Sequence, residues 1–152
     1  RQTNSLKVYL TKGKIGYLNN NKIEGLKNID LINKWKVIVA KASPGMDTLP
    51  HSIISSPIVS EPGSLSTDSH LLIGVFESKK EASNFKSYMQ TKLFRFMMLL
   101  AKNNQNMNRD VFRFVPRIDL NQPMDDKKLY NKFDLDQEDI NFIDSVIREW
   151  IY

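Results

Sequence analysis

Apolar and polar positions follow two different periods along this chain, and the change falls at Ser78. Before Ser78, short runs rich in β-branched residues lie between turn-forming residues, which is typical of strands. We predict strands at residues 6–10, 15–18, 35–42, 58–59 and 71–76. The first two flank TKGK, in which Gly13 permits a turn, and they predict a hairpin. A short helix is predicted near residues 28–35, and a loop rich in Pro, Ser and Gly spans 43–69 around the 58–59 strand.

After Ser78 the period becomes helical. Ser78 and Glu81 have the spacing of a capping box, which predicts the start of a helix. Apolar residues then recur every three or four positions and predict one long helix over 78–102; they are Phe85, Met89, Leu93, Phe96 and Leu100. The same projection leaves one polar sector, formed by Asn84, Tyr88, Thr91, Arg95 and Lys102.

The C-terminal part combines one further strand with a helical tail. Residues 111–118 alternate and predict a strand, with Pro116 near its end or on an edge. Asp125 or Asp126 begins a short helix, and Asp136 with Asp139 caps a second one. Because no regular β-α-β alternation is present, the predicted class is α+β: a small, mostly antiparallel sheet packed on a long central helix, with a C-terminal helical tail.

The net charge of the chain changes sign near the start of this tail. Residues 1–118 hold 18 Lys and Arg against 8 Asp and Glu, whereas residues 119–152 hold 4 against 9. We therefore predict a basic body over 1–118 and an acidic helical appendage over 119–152 that packs on it. A basic body of this kind is the electrostatic footprint of a protein that binds a polyanion, although many basic surfaces bind nothing.

Length and composition bound the remaining possibilities. A chain of 152 residues forms one domain, or one domain with an appended piece. It contains no cysteine, no apolar run near the roughly 20 residues of a membrane span, and no signal peptide. We expect a cytoplasmic protein with no membrane partner. Since the sequence opens on Arg1 rather than Met, we expect it to be a fragment of a larger protein.

No catalytic or metal-binding constellation stands out, and no cofactor motif is present. His51 and His70 lack the spacing of metal ligands, and neither a nucleophile elbow nor a phosphate-binding glycine loop occurs. One alternative is a magnesium-dependent restriction nuclease, because Asp68, Glu77 and Lys79 flank a strand in a similar order. The dipole of the following helix is a sufficient reason for acidic residues at that position.

Four basic or amide-bearing sets remain as candidates for binding DNA: Lys12 and Lys14 at the hairpin tip, Lys41 and Ser43 after the central strand, the loop at 60–69, and a group around the end of the long helix that runs from Arg95 to Arg113. Phosphates would be neutralised by Lys12, Lys14, Lys41, Lys92, Arg95 and Lys102. Base edges would be contacted by Asn103, Gln105, Arg109 and Arg113, since amides match adenine and guanidinium groups match guanine. Loop hydroxyls would assist from Ser43, Ser64, Ser66 and Thr67. Each set also has a purely structural explanation, in solubility, local turns or helix capping.

The same segments resemble a known protein family. TKLFRFMMLLAKNNQNMNRDVFRFVPRIDL and MDDKKLYNKFDLDQEDINFIDSVIREW are similar to the C-terminal part of bacterial type II restriction-modification proteins that carry an N6-adenine DNA methyltransferase. EPGSLSTDSHLLIGVFESKKEASNF and YLTKGKIGYL also match that pattern. The methyltransferase motifs themselves are absent, which agrees with a fragment.

The resemblance implies a target recognition region, which selects the double-stranded DNA sequence to be modified. It implies that the parent enzyme uses S-adenosylmethionine and that the methyltransferase domain of the same chain is a partner. Family members commonly have threonine where Asn104 stands, so Gln105 is the better candidate for a base contact. Two alternatives stay open: the nuclease, and a protein-docking domain that uses Trp150, Ile151 and the acidic tail.

Overall fold

A computed structural model of the chain describes residues 5–42, 44, 48–102 and 107–151. The described residues form an α+β fold, which confirms the predicted class. The strands are β1 (Ser5–Tyr9), β2 (Ile15–Asn19), β3 (Trp35–Ala40), β4 (Ile58–Ser60), β5 (Ser64–Ser66) and β6 (His70–Phe76). The helices are α1 (Lys79–Gln90), α2 (Lys92–Ala101), α3 (Asp126–Lys132) and α4 (Gln137–Val146). In these ranges we find no helix with both the length and the apolar character needed to cross a membrane.

The strands form two three-stranded sheets rather than the single sheet that was predicted. One has the order β2-β1-β5 and the other β4-β3-β6. Only β1 and β5 pair in parallel, and the other pairs are antiparallel. The chain passes between the two sheets three times, and the second passage is the turn between β4 and β5. Gly63 has a φ of 76° there, in the left-handed region that glycine adopts without strain.

The predicted long helix is divided in two at Thr91. Thr91 has extended backbone angles, and its side-chain oxygen accepts a hydrogen bond from Phe94 N at 3.2 Å, so it is the N-cap of α2. The same hydroxyl donates to the Tyr88 carbonyl at the end of α1. The apolar spacing continues across this break, which is why periodicity alone predicts one helix. At the start of α1, the Ser78–Glu81 capping box is confirmed.

The strand predicted at 111–118 is absent from this part of the described chain. A short 3₁₀ helix occupies Arg109–Phe112, and residues 116–120 have no regular secondary structure. Side chains of α1 satisfy the backbone here: Tyr88 Oη donates to the Pro116 carbonyl at 2.8 Å, and Asn84 Nδ2 donates to the Leu120 carbonyl at 2.6 Å. Pro116 has no N–H to give to a sheet, so its segment is held from a helix instead.

Residues of the body and of the acidic tail share one hydrophobic core. Val37 and Val39 of β3 lie in it with residues of both central helices, and the tail contributes Leu129, Ile143 and Ile147. A short parallel bridge also ties the tail to the loop after β3, since His51 N donates to the Val146 carbonyl at 2.8 Å. The predicted N-caps Asp125 and Asp136 are confirmed, and each side chain accepts a backbone hydrogen bond three residues on.

Candidate nucleic-acid interface

The hairpin tip and the loop after β5 lie side by side. β1 and β5 are parallel, and Tyr9 lies opposite Ser66, so the C-terminal ends of both strands lie at the same end of their sheet. Thr67 N donates to the Tyr9 carbonyl at 3.1 Å and fixes the loop there. Lys12 and Lys14, in the turn that follows Tyr9, are exposed to solvent.

Two more backbone hydrogen bonds bring the end of β3 and the segment before Arg109 to this place. Lys41 N donates to the Ser69 carbonyl at 2.9 Å, and Met107 N donates to the Lys41 carbonyl at 3.1 Å. Arg109 follows two residues later and is exposed. We call this surface the basic end; its residues are Lys12, Lys14, Lys41, Ser66, Thr67 and Arg109.

At the basic end, Lys41 forms an ion pair with an exposed carboxylate. Lys41 Nζ lies 2.7 Å from Asp68 Oδ1, and the Asp68 side chain is fully exposed. Lys41 lowers the pKa of Asp68 by hydrogen bonding and charge, and Lys27 lowers it further by charge. Solvent screens an ion pair this exposed, so Lys41 can exchange Asp68 for a phosphate at little cost.

Lys27 and His70 complete the electrostatics of this surface. Lys27 is exposed and acts on Asp68, so it adds a cation that the sequence did not single out. The signal for it exists only in three dimensions, since 41 residues separate Lys27 from Asp68 along the chain. Burial lowers the pKa of His70, which therefore stays neutral at pH 7 and adds no charge.

Ser64 and Lys92 do not lie on the basic end, contrary to the prediction. Ser64 is completely buried, where its hydroxyl contacts Ser60 Oγ at 2.6 Å and donates to the Glu61 carbonyl. Lys92 Nζ lies 2.8 Å from a carboxylate oxygen of Asp144 and 2.8 Å from one of Glu149. Burial opposes the charge of Lys92, but these two carboxylates outweigh it and raise the pKa. Lys92 binds the acidic tail.

Arg95 is buried as well, so its predicted phosphate contact is wrong for this structure. Its side chain is 1% exposed. Nε donates to the Thr91 carbonyl at 3.2 Å, Nη1 donates to the Arg148 carbonyl at 2.7 Å, and the guanidinium lies 5.2 Å from the Trp150 ring. These contacts attach α2 to the end of the tail.

Lys102 is also buried, so it is not available for the predicted phosphate contact. It is 7% exposed, and Nζ donates to the Ile53 carbonyl at 3.4 Å. Burial lowers its pKa. All five members of the predicted polar sector are thus inside the protein, and we call them the buried seam: Asn84, Tyr88, Thr91, Arg95 and Lys102.

The remaining predicted residues divide between exposed positions and positions that are not described. Arg113 is exposed, with its guanidinium 4.8 Å from the ring of Phe114. Ser43, Asn103 and Gln105 lie outside the described residues, as does Asn104.

The carboxylates of the nuclease alternative lie at the two ends of one strand. Asp68 precedes β6 and Glu77 follows it, and seven strand residues at about 3.3 Å each separate them by more than about 20 Å. Glu77 instead binds Lys34, whose Nζ lies 2.6 Å from its Oε1. In the described ranges, no three His, Asp or Glu side chains come together as metal ligands.

The main structural role of Asp126 could not be predicted from the sequence. Asp126 Oδ1 accepts hydrogen bonds from the backbone of Lys92 at 2.6 Å and of Leu93 at 3.3 Å, so it caps the first turn of α2 from outside the helix. Burial raises the pKa of Asp126, although these donors act to lower it. The sequence indicated only that Asp126 could begin α3, because a cap supplied from a distant segment leaves no local pattern.

Comparisons of the chain with protein-family models, with curated proteins and with solved structures found no match. The basic end offers exposed ammonium groups beside loop hydroxyls and an arginine, which suits a polyanion whose charges are regularly spaced.

Proposed function

We propose that this chain recognises double-stranded DNA through the basic end. The observation that supports the proposal is the set of three backbone hydrogen bonds that join Tyr9 to Thr67, Ser69 to Lys41, and Lys41 to Met107. They gather the hairpin tip, the loop after β5, the end of β3 and the segment before Arg109. These segments are far apart in sequence, and each of the four predicted sets has at least one residue there.

In this proposal, some residues of the basic end position the DNA and another selects its base sequence. Lys12, Lys14 and Lys41 neutralise phosphates, and each such contact releases condensed cations from the duplex. The hydroxyls of Ser66 and Thr67 add hydrogen bonds to the backbone of the DNA. Arg109, which carries a planar set of donors, is the described residue best suited to a guanine edge.

In this proposal the chain is the specificity part of a restriction-modification enzyme. This assignment rests on the resemblance of its sequence to that family. The methyltransferase domain of the parent binds S-adenosylmethionine and acts on an adenine that has been turned out of the duplex. The basic end supplies the grip that makes this step selective for one DNA sequence.

The test is the salt dependence of duplex binding. The full chain is titrated with a fluorescent duplex of about 20 base pairs, and anisotropy is measured at several salt concentrations. Replacing Lys12 and Lys14 together by glutamine should reduce the slope of log K against log salt by about two, because each lost phosphate contact removes about 0.9.

The matched control replaces Lys79 and Lys80 together by glutamine. Both are exposed and adjacent, but they lie beyond the other end of β6, away from the basic end. For this double variant, the slope of log K against log salt should equal that of the wild type. Equal slopes for both double variants, or a duplex that does not bind at low salt, would exclude the basic end as the DNA-binding surface.

A further inference from the structure

A groove of about 710 Å³ lies between β6 and residues 112–120. Residues 71–76 of β6 form one wall, and Val115, Pro116 and Arg117 contribute to the other. Phe85 and Tyr88 of α1 lie at its floor. The volume is within the range of sites that hold a ligand, and the lining is mostly apolar.

The wall formed by β6 is an open strand edge. In the order β4-β3-β6, β6 pairs with β3 on one side only. Among the described residues, the segment across the groove gives no backbone hydrogen bond to β6. It is attached to α1, through the Pro116 and Leu120 carbonyls described above. Neighbouring strands lie about 4.8 Å apart, and among the described residues no strand pairs with this edge of β6.

Gly74 makes room for the ring of Phe76 in the wall formed by β6. A Cβ at this position would lie 2.7 Å from the ring of Phe76, which folds back over the glycine. The Phe76 ring packs against Phe85 with 5.2 Å between centroids. A larger residue at 74 would displace the Phe76 ring from this place. The groove is thus a packed surface of α1 and β6 side chains on which one more strand would rest.

The charged residues that line the groove are Arg109 and Arg117, and both are basic. A free strand edge selects an extended backbone, an apolar floor selects apolar side chains at alternate positions, and two guanidinium groups select carboxylates. We propose that the groove binds an extended acidic peptide segment, which adds to β6 as a further strand. This site goes beyond DNA recognition, although it shares Arg109 with the basic end.

The probe is a pool of acetylated and amidated octapeptides in which Val, Ile or Leu alternates with Glu. A second pool carries Lys in place of Glu. Hydrogen exchange of the full chain is followed with each pool. The Glu pool should slow exchange of the backbone amides of residues 71–76 at least tenfold, whereas the Lys pool should not. N-methylation of alternate residues in the Glu pool should abolish the effect, since it removes the donors that pair with a strand edge.

Arg117→Glu tests the charge preference without touching the basic end. It should remove the protection by the Glu pool and leave duplex binding and the circular dichroism spectrum unchanged. Lys127→Glu, an exposed residue of α3, is the control and should keep the protection. Absence of protection at 71–76 by the Glu pool overturns the proposal. Protection of the same amides by oligothymidylate instead would assign the groove to single-stranded nucleic acid and also overturn it.

Discussion

The basic end and the buried seam contain the same kinds of side chain, yet they have opposite surroundings. Lys12 and Lys14 lie in a turn between strands and are exposed, whereas Arg95 lies on α2, Lys102 directly follows it, and both are almost completely buried. The sequence predicted one role, phosphate binding, for all four. The difference teaches that a cation on a helix face is free only if no other segment covers that face.

The buried seam has a physical reason to be polar. The segments that cover it have little regular secondary structure, so their carbonyl groups need donors from elsewhere. The side chains of the seam supply these donors. Tyr88 donates a hydrogen bond to the carbonyl of Pro116, and Asn84 donates to that of Leu120. Arg95 donates to the carbonyl of Arg148. A polar stripe on a central helix can therefore indicate contact with an irregular segment rather than with solvent.

The largest expected effect comes from Arg95→Met, which removes the donor that holds the tail. The carbonyl of Arg148 loses its charged partner, and the contact with Trp150 is lost, so unfolding free energy should fall by about 3 kcal/mol. Urea denaturation followed by circular dichroism measures this as a lower midpoint.

Arg113→Met is the matched control for Arg95→Met. Arg113 is exposed and contacts the ring of Phe114, so its replacement should change stability by less than about 0.5 kcal/mol. If Arg95→Met were as stable as wild type and instead flattened the salt dependence of DNA binding, the contrast between seam and basic end would be broken.

A smaller effect is expected from Asp126→Ala, which removes the external cap of α2. The N–H groups of Lys92 and Leu93 lose their acceptor, and a lost cap costs about 1–2 kcal/mol. Thermal unfolding should show a lower midpoint than wild type. Asp30→Ala, at an exposed position, should differ from wild type by less than about 0.5 kcal/mol. Equal midpoints for the two variants would show that Asp126 does not support α2.

The smallest effect on folding, and the sharpest on binding, is expected from Asp68→Asn. Its loss frees Lys41, so duplex affinity at low salt should rise several-fold, while the midpoint of urea denaturation should stay that of the wild type. Glu77→Gln is the matched control, because Glu77 also pairs with an exposed lysine but lies at the far end of β6. An equal rise in both variants would mean that only net charge matters, and that the basic end has no special role.

Local patterns predicted much of the secondary structure. The five strands predicted before Ser78, the Ser78–Glu81 capping box and the caps at Asp125 and Asp136 are confirmed, because each depends on neighbours in sequence. The strand β5 was missed, since it lies in the segment predicted as a loop. The strand at 111–118 was wrong, since alternation says nothing about whether an edge is available for pairing. The resemblance to restriction-modification proteins, and the activity it implies, stay predictions.

The candidate site was predicted less well than the fold. Exposed residues of the basic end were found from turn chemistry at strand ends, which places Lys12, Lys14 and Lys41 outside the core. Lys27 was missed, and Lys92, Arg95 and Lys102 were misplaced. In these cases the deciding fact is which distant segment lies on top, and no local period records it.

The division of the central helix at Thr91 bears on how freely this fold can change length. In one continuous helix, an inserted residue would rotate everything after it by about 100° and carry Leu93 and Met98 away from the core. Here the direction is reset by a single extended residue that ends α1 and caps α2. A residue added at this junction would lengthen the connection between the two helices without rotating α2. The sequences of α1, which packs on strands, and of α2, which packs on the tail, can therefore diverge independently.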